Sequence, residues 1–286
     1  MNKRKIMLNT KNIYTIYFIK KYMQNIKKIF LKKQELIKKQ KFIMWRENTP
    51  KFRTKQIYNP IIPLNIYQTW KTKELPPKMR EIVDYNKSFN PAFKFVLFDD
   101  KDCRDFIDDN FREDVLNAYD TLVPGAYKTD LWRYCVLYIY GGIYLDIQFK
   151  CVNGFKFIGL TEKEHLTLDM TNTNENTYVS NSLIVTKYRN PRILQAIIQI
   201  VTNVNNRYYG DSPFDVTGNI MFGKLFNSEE KNKSIIKKCL DKERKRCILL
   251  NGINILEEYP EYRDEVSENY EAYSELWRNQ LIYTDI

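Results

Sequence analysis

Two acids and a guanidinium, Asp130, Arg133 and Asp146, stand close enough along this chain to pair with one another or to hold a cation. They fall within residues 125–150, GAYKTDLWRYCVLYIYGGIYLDIQFK, a densely apolar stretch with few charges. Asp130 and Arg133 are three apart, so on a helix they share a face. Leu131, Cys135 and Tyr138 make one apolar stripe, and Trp132, Val136 and Ile139 another. A helix from Ala126 to about Tyr140 is therefore apolar on most of its surface and belongs in a core. Such a helix must pair an acid and a guanidinium or use them; an intrahelical ion pair is the plain structural reading. Gly141-Gly142 ends the helix in the left-handed geometry that glycine permits. Residues 143–148 then read as a strand, with Ile143, Leu145 and Ile147 on one side and Tyr144, Asp146 and Gln148 on the other. This brings Asp146 to the end of a buried strand beside the end of the charged helix. An acid there is costly unless it pairs or binds a cation. Carboxyl ends of strands are also where open α/β sheets bind ligands.

Strands and helices alternate through the first half of the body. Residues 61–70 read as a buried strand with a polar, aromatic end, and Pro76-Pro77 opens a helix to about Asn86. Asn90-Pro91 is a turn, Phe93 to Phe98 a second strand closing on Asp99-Asp100, and 102–110 and 113–119 are short helices. Beyond the central stretch come strands at 165–170 and 181–186, with the polar loop TNTNENT between them. Helices are expected at 191–205 and about 219–226, a charged, exposed helix face at 237–246, a strand at 247–250, and an acidic, aromatic tail from Glu257. This pattern predicts an α/β fold with a mainly parallel sheet.

Composition removes several chemistries. A single histidine, His165, leaves no His-rich metal site and makes a triad implausible; it reads as a core or strand residue. The five cysteines have no CxxC spacing, so zinc and redox readings fail, Cys135 and Cys151 read as small core residues, and a reducing compartment is expected. Neither GxGxxG nor GxxxxGK[ST] occurs, which argues against a dinucleotide oxidoreductase or a P-loop kinase.

The net charge of +11 is unevenly distributed. Residues 1–55 hold 17 of the 46 Lys and Arg against two of the 35 acids, a net of +15, and the remainder carries −4. The basic character belongs to an N-terminal arm, taken as residues 1–57, ahead of a body at 58–286. Ile16, Ile19, Met23, Ile26 and Phe30 recur at steps of three and four, with Lys20, Lys21, Lys27 and Lys28 largely between them, a basic amphipathic helix pattern. It reads as a solvated helix or tail, or as a peripheral anchor on a membrane surface or polyanion. The mildly acidic body argues against specific nucleic-acid binding. The apolar run from Ile13 to Ile19 is far short of the ~20 residues that cross a bilayer, and charges interrupt every candidate signal-peptide core. The expected location is cytoplasmic or peripheral to a membrane.

Taken in order, Tyr67-Gln68-Thr69-Trp70, Asn90-Pro91, Asp99-Asp100, Lys128-Thr129-Asp130-Leu131-Trp132-Arg133-Tyr134 and Gly141-Gly142-Ile143-Tyr144-Leu145-Asp146 resemble glycosyltransferase family 32. This is the DXD-containing sugar-binding-region group, with fungal mannosyltransferase and bacterial capsular members. The resemblance runs from about residue 60 to 225 and includes Asn181 and Thr217-Gly218-Asn219; Asn/Lys-rich copies of this kind are familiar from giant viruses of protists. It implies a GT-A fold, a Rossmann-like α/β body that binds a UDP- or GDP-sugar, and a retaining hexosyl transfer to a glycan, lipid or protein acceptor. By position it implies that Asp130 and Arg133 hold sugar hydroxyls and that Asp146 is the first acid of DXD. Donor contacts would come from Gln68, Thr69, Trp70, Asp99, Asp100 and Asn181, with Trp70 stacking on the base. Asp99-Asp100 could equally be a turn or helix cap, and Asn181 could face donor or acceptor sugar.

The family motif carries a second acid where this chain has Gln148, in Asp146-Ile147-Gln148. The implied Mn²⁺ or Mg²⁺ would be held by Asp146 and the Gln148 amide oxygen, with one negative charge fewer. Three outcomes stay open: weaker metal binding, a replacement ligand such as Asp169 or Asp215, or a degenerate transferase that only binds nucleotide-sugar or carbohydrate.

Overall fold

The computed structural model describes residues 52, 57–171, 178–266 and 273–284. The amphipathic pattern of the arm and most of the TNTNENT loop lie outside them. Among the described residues no helix is long and apolar enough to cross a membrane.

Two sheets organise the body. The first runs β2 (Lys94–Phe98), β1 (Asn65–Thr69), β3 (Gly142–Leu145), β6 (Leu183–Thr186), parallel except for β6. Helices α1 (Pro77–Phe89), α2 (Asp100–Asn110), α3 (Glu113–Thr121) and α4 (Gly125–Tyr140) follow β1 and β2 and return the chain to β3. These crossovers let β1, β2 and β3 run side by side with their carboxyl ends together. The α/β class expected of a GT-A body is therefore the observed one.

The helix α4 is core on nearly every side. Leu131, Trp132, Tyr134, Cys135, Val136 and Leu137 are fully buried, packed with Tyr67 and Tyr144 of the sheet and Ile197 and Ile200 of α5 (Pro191–Asn205). Gly141, at φ 62°, ends α4, and a Cβ there would lie 2.5 Å from the Tyr188 amide nitrogen. Gly142, at φ 107°, would put one 2.8 Å from the Asn65 carbonyl. The glycine pair is thus required by close backbone approach as well as by turn geometry.

The strand expected at 143–148 is shorter. β3 stops pairing with β6 at Leu145, and Asp146 N–H makes one more bond to the Ser182 carbonyl at 2.8 Å. Phe149 N–H then donates to the Asp146 carbonyl at 3.2 Å, closing a turn that redirects the chain into β4 (Phe149–Cys151). Asp146, Ile147 and Gln148 form this turn, so strand alternation does not govern them.

The second sheet was not expected. Its order is β4, β9 (Ile253–Glu258), β8 (Arg246–Leu250), β7 (Ile236–Leu240), β5 (Thr167–Asp169), antiparallel except for β5 beside β7. The charged helix read at 237–246 is in fact the β7–β8 hairpin. Its charges sit in the connecting turn, where the Asp241 carboxylate accepts from Glu243 and Lys245 N–H at 2.8 and 2.9 Å and Arg244 takes φ 61°. An aspartate that bonds its own backbone in this way favours a turn over a helix. After β6 the chain runs through α5, α6 (Asn219–Lys224) and α7 (Ser228–Asn232), and the tail forms α8 (Tyr262–Val266) and α9 (Tyr273–Arg278).

Candidate active site

The site is built where α4 passes the carboxyl end of β3. Arg133 is its centre: Nη2 lies 3.1 Å from Asp130 Oδ1 and Nη1 3.5 Å from Asp146 Oδ1. Nη1 also donates to the Asn181 carbonyl at 2.6 Å, and the guanidinium lies 4.3 Å from the centre of the Tyr144 ring. The i,i+3 ion pair foreseen on the helix is present, and the acid at the strand end joins it.

The two carboxylates differ in setting. Asp130 is buried. Asn181 Nδ2 donates to its Oδ1 at 2.8 Å and Thr217 Oγ1 to its Oδ2 at 2.6 Å. Burial pushes this carboxyl up to about 6, against the opposing pull of Arg133 and the Thr217 hydroxyl. Asp146 is more open, its side chain 21 % exposed. Tyr144 OH donates to Oδ1 at 2.9 Å and Gln148 Nε2 to Oδ2 at 3.3 Å. Burial works against the charge on Arg133, but Tyr144 and the two carboxylates outweigh it, so the guanidinium stays firmly protonated.

Asn181 sits between the carboxylate pair and a further layer. Its N–H donates to Asn219 Oδ1 at 3.2 Å, and Asn219 Nδ2 donates to Asp169 Oδ2 at 2.6 Å. Asp169 also accepts from Thr171 Oγ1 at 2.6 Å and lies 3.5 Å from Lys238 Nζ. Asp215 pairs with Lys224 at 2.7 Å. Among the described residues neither Asp169 nor Asp215 hydrogen-bonds Asp146 or Gln148.

The other residues named from the sequence fall in several settings. Trp70, just past β1, packs with Leu75, Met79, Ile82 and Ile147, the residue inside the Asp146–Gln148 turn. Gln68 is buried in β1 and its Nε2 has no hydrogen-bond partner among the described residues. Thr69 Oγ1 donates to the Phe98 carbonyl at 3.0 Å and touches Cys103 Sγ at 3.4 Å, so it joins β1 to β2 and α2. Asp99 is a helix cap: its carboxylate accepts from Asp102 N–H at 2.9 Å in a reciprocal capping box on α2. Asp100 is exposed at the start of α2, and partial desolvation raises its carboxyl against the charges of Lys128 and Lys71. His165 bridges to Val185, and burial, with Lys163, draws its ring down to about 4.

Two residues that hold the carboxylates were not singled out for that purpose. Tyr144 shares the sheet side read for Asp146, so its position was legible. Thr217 lies 87 residues from Asp130 and only the fold brings them together.

Hard cations need oxygen ligands. Asp146 offers Oδ2, and Gln148 offers its amide oxygen if the amide is turned, because amide orientation follows the hydrogen-bond pattern. Oδ1 is taken up by Tyr144 and Arg133. No group of three or more His, Cys, Asp or Glu able to hold a metal occurs among the described residues. The donor set therefore fits a cation that takes most of its ligands from a diphosphate and water, as Mg²⁺ does, and does not fit one caged by protein.

Residues 76–178 match the family model described as glycosyltransferase sugar-binding region containing DXD motif. Inositol phosphoceramide mannosyltransferase 3 of Schizosaccharomyces pombe is 38 % identical over 90 residues, 32 % of this chain and 25 % of that protein. An uncharacterized glycosyltransferase of Acanthamoeba polyphaga mimivirus is 34 % identical over 103 residues, 35 % of this chain and 41 % of that protein. The initiation-specific alpha-1,6-mannosyltransferase of Candida albicans is 33 % identical over 92 residues, 30 % of this chain and 24 % of that protein. The matched stretch thus spans between about a quarter and two-fifths of these relatives' lengths. The solved structure titled PaToxG Glycosyltransferase aligns at a TM-score of 0.48 and 20 % identity, over 60 % of this chain and 72 % of that one. Over residues 76–178 this chain is similar to the DXD-containing sugar-binding region of glycosyltransferases, in line with its resemblance to glycosyltransferase family 32.

Proposed function

We propose that this chain is a glycosyltransferase that moves a hexose from a UDP- or GDP-sugar to a glycan, lipid or protein acceptor, with retention at the anomeric carbon. The observation that carries this reading is the convergence of Asp130, Arg133 and Asp146 at the carboxyl end of β3, inside the stretch that matches the sugar-binding region. Asp130, oriented by Asn181 and Thr217, is suited to accept hydrogen bonds from sugar hydroxyls with its remaining lone pairs. Arg133 holds the two acids in register and balances their charge. Trp70, beside the turn at 146–148, offers an aromatic face to a nucleobase. Asp146 and Gln148 would hold Mn²⁺ or Mg²⁺, which when bound supplies Lewis-acid neutralisation of the leaving diphosphate. The relatives named as mannosyltransferases make a mannosyl donor the first to test. The basic arm is a peripheral membrane contact near the acceptor, and the reading assigns it no specific nucleic-acid role.

A second reading is a nucleotide-sugar-binding module that has lost transfer. Gln148, with its amide N–H turned to Asp146, is the observation that favours it. Donor hydrolysis across a panel of UDP- and GDP-sugars, with and without Mn²⁺, separates the two. The transferase reading expects hydrolysis of at least one donor and its loss in Asp146→Asn. Donor binding without hydrolysis selects the module, and no binding at millimolar donor sinks both. Deleting residues 1–55 should leave donor binding intact.

A further inference from the structure

Cys239 and Cys247 are register partners in the β7–β8 hairpin, and their Sγ atoms lie 2.9 Å apart. Directly opposed residues of an antiparallel pair have Cα atoms roughly 4.5–5.5 Å apart, inside the range a disulfide spans. Ile236 and Ile248 face the core; Cys239 is three residues from the first and Cys247 one from the second, so by strand alternation both lie on the opposite face. Cys239 is partly exposed and Cys247 is buried.

The other three thiols are built differently. Cys103, Cys135 and Cys151 are buried on separate elements, and burial pushes each thiol up, Cys103 and Cys151 to about 12. The hairpin pair shares a hydrogen bond that draws Cys239 below its ordinary range and pushes Cys247 up. The more exposed member is thus also the better nucleophile.

We infer that Cys239 and Cys247 form a thiol–disulfide pair that closes the β7–β8 hairpin on exposure to a small-molecule disulfide. The Cys239 thiolate attacks one sulfur of the oxidant, a Cys239–oxidant mixed disulfide forms, and one oxidant thiolate leaves. The Cys247 sulfur, giving up its proton, then attacks the Cys239 sulfur and displaces the second oxidant thiolate. Two protein thiols become one disulfide while one small disulfide becomes two thiols. Absence of a CxxC spacing excludes redox chemistry only within one helical turn; here seven residues intervene and strand register brings the sulfurs together.

The test uses the full chain, reduced, then incubated with glutathione disulfide. Titration under denaturing conditions should fall from five thiols to three, with a proteolytic peptide pair joined through Cys239 and Cys247. Closing so short a loop should raise Tm by roughly 5 °C, reversed by dithiothreitol. The Cys239→Ser/Cys247→Ser double variant should keep three thiols and one Tm under both conditions. Cys247→Ser alone should trap glutathione on Cys239. Persistence of all five thiols overturns the inference. So does a wild-type adduct that never closes, or a cross-link between any other pair.

Discussion

Asp130 and Asp146 are one Arg133 side chain apart, yet they occupy opposite kinds of environment. Asp130 is on a core helix, buried, with both oxygens already bonded by protein. Asp146 is in a turn at a sheet end, partly open, and among the described residues its Oδ2 is bonded only by the longer contact from Gln148. Burial penalises the charge on Asp130, and fixed partners offset that cost and freeze its orientation. Asp146 keeps an oxygen that can be turned toward a ligand without uncovering a buried group. The first acid is suited to holding something in one geometry, and the second to exchanging partners.

Arg133→Leu attacks both acids at once and should have the largest effect. Removing the cation leaves two acids uncompensated, one of them buried, at a cost of about 3–5 kcal/mol in chemical denaturation. A loss below about 1 kcal/mol would mean that the acids do not depend on Arg133. Thr217→Val affects only the Asp130 side. It should cost about 1.5–3 kcal/mol, the range for a hydrogen bond to a charged group, and leave any Mn²⁺ dependence unchanged. Asp146→Asn should cost less than about 1 kcal/mol, since its ion pair is partly solvated, while donor hydrolysis is lost. If Asp146→Asn proved the more destabilising of the last two, the contrast between the acids would collapse.

The pH dependence sharpens the same point. Asp130 moves from an ordinary 3.8 to about 6 on folding. The folded state therefore holds this proton more tightly than the unfolded chain. Below about pH 4 both states are protonated and the group contributes nothing. As pH rises from there through about 6 the unfolded chain ionises first, so stability falls, and above that window the loss is constant. Asp130→Asn should flatten that slope in urea melts taken across the window; an unchanged slope would place the titration elsewhere.

Legibility followed distance along the chain. The helix over 125–140, the glycine pair and the strand after it were readable because periodicity and glycine placement are local signals. Asp130, Arg133 and Asp146 stand out within that stretch for the same reason. In the β7–β8 hairpin, Lys237, Lys238 and the charges of 241–245 mimic an exposed helix face; only pairing with β5 and β9 makes them strands and a turn. Asp99 could be read as a cap or a ligand contact, and the capping box on α2 uses its carboxylate in the fold.

Local residue patterns specify a core helix with an acid–guanidinium pair, a glycine turn and an acid just beyond, because 3.6-residue and two-residue periods are written in neighbouring residues. Which groups hold those acids follows from how the segments pack. Asn181 and Thr217 reach Asp130 from 51 and 87 residues away. Gln148 turns back on Asp146 because β3 loses its partner at Leu145 and the chain must turn into the second sheet. Cys239 meets Cys247 through strand register. Such contacts depend on where chain segments pack, and no local pattern of residue types encodes that.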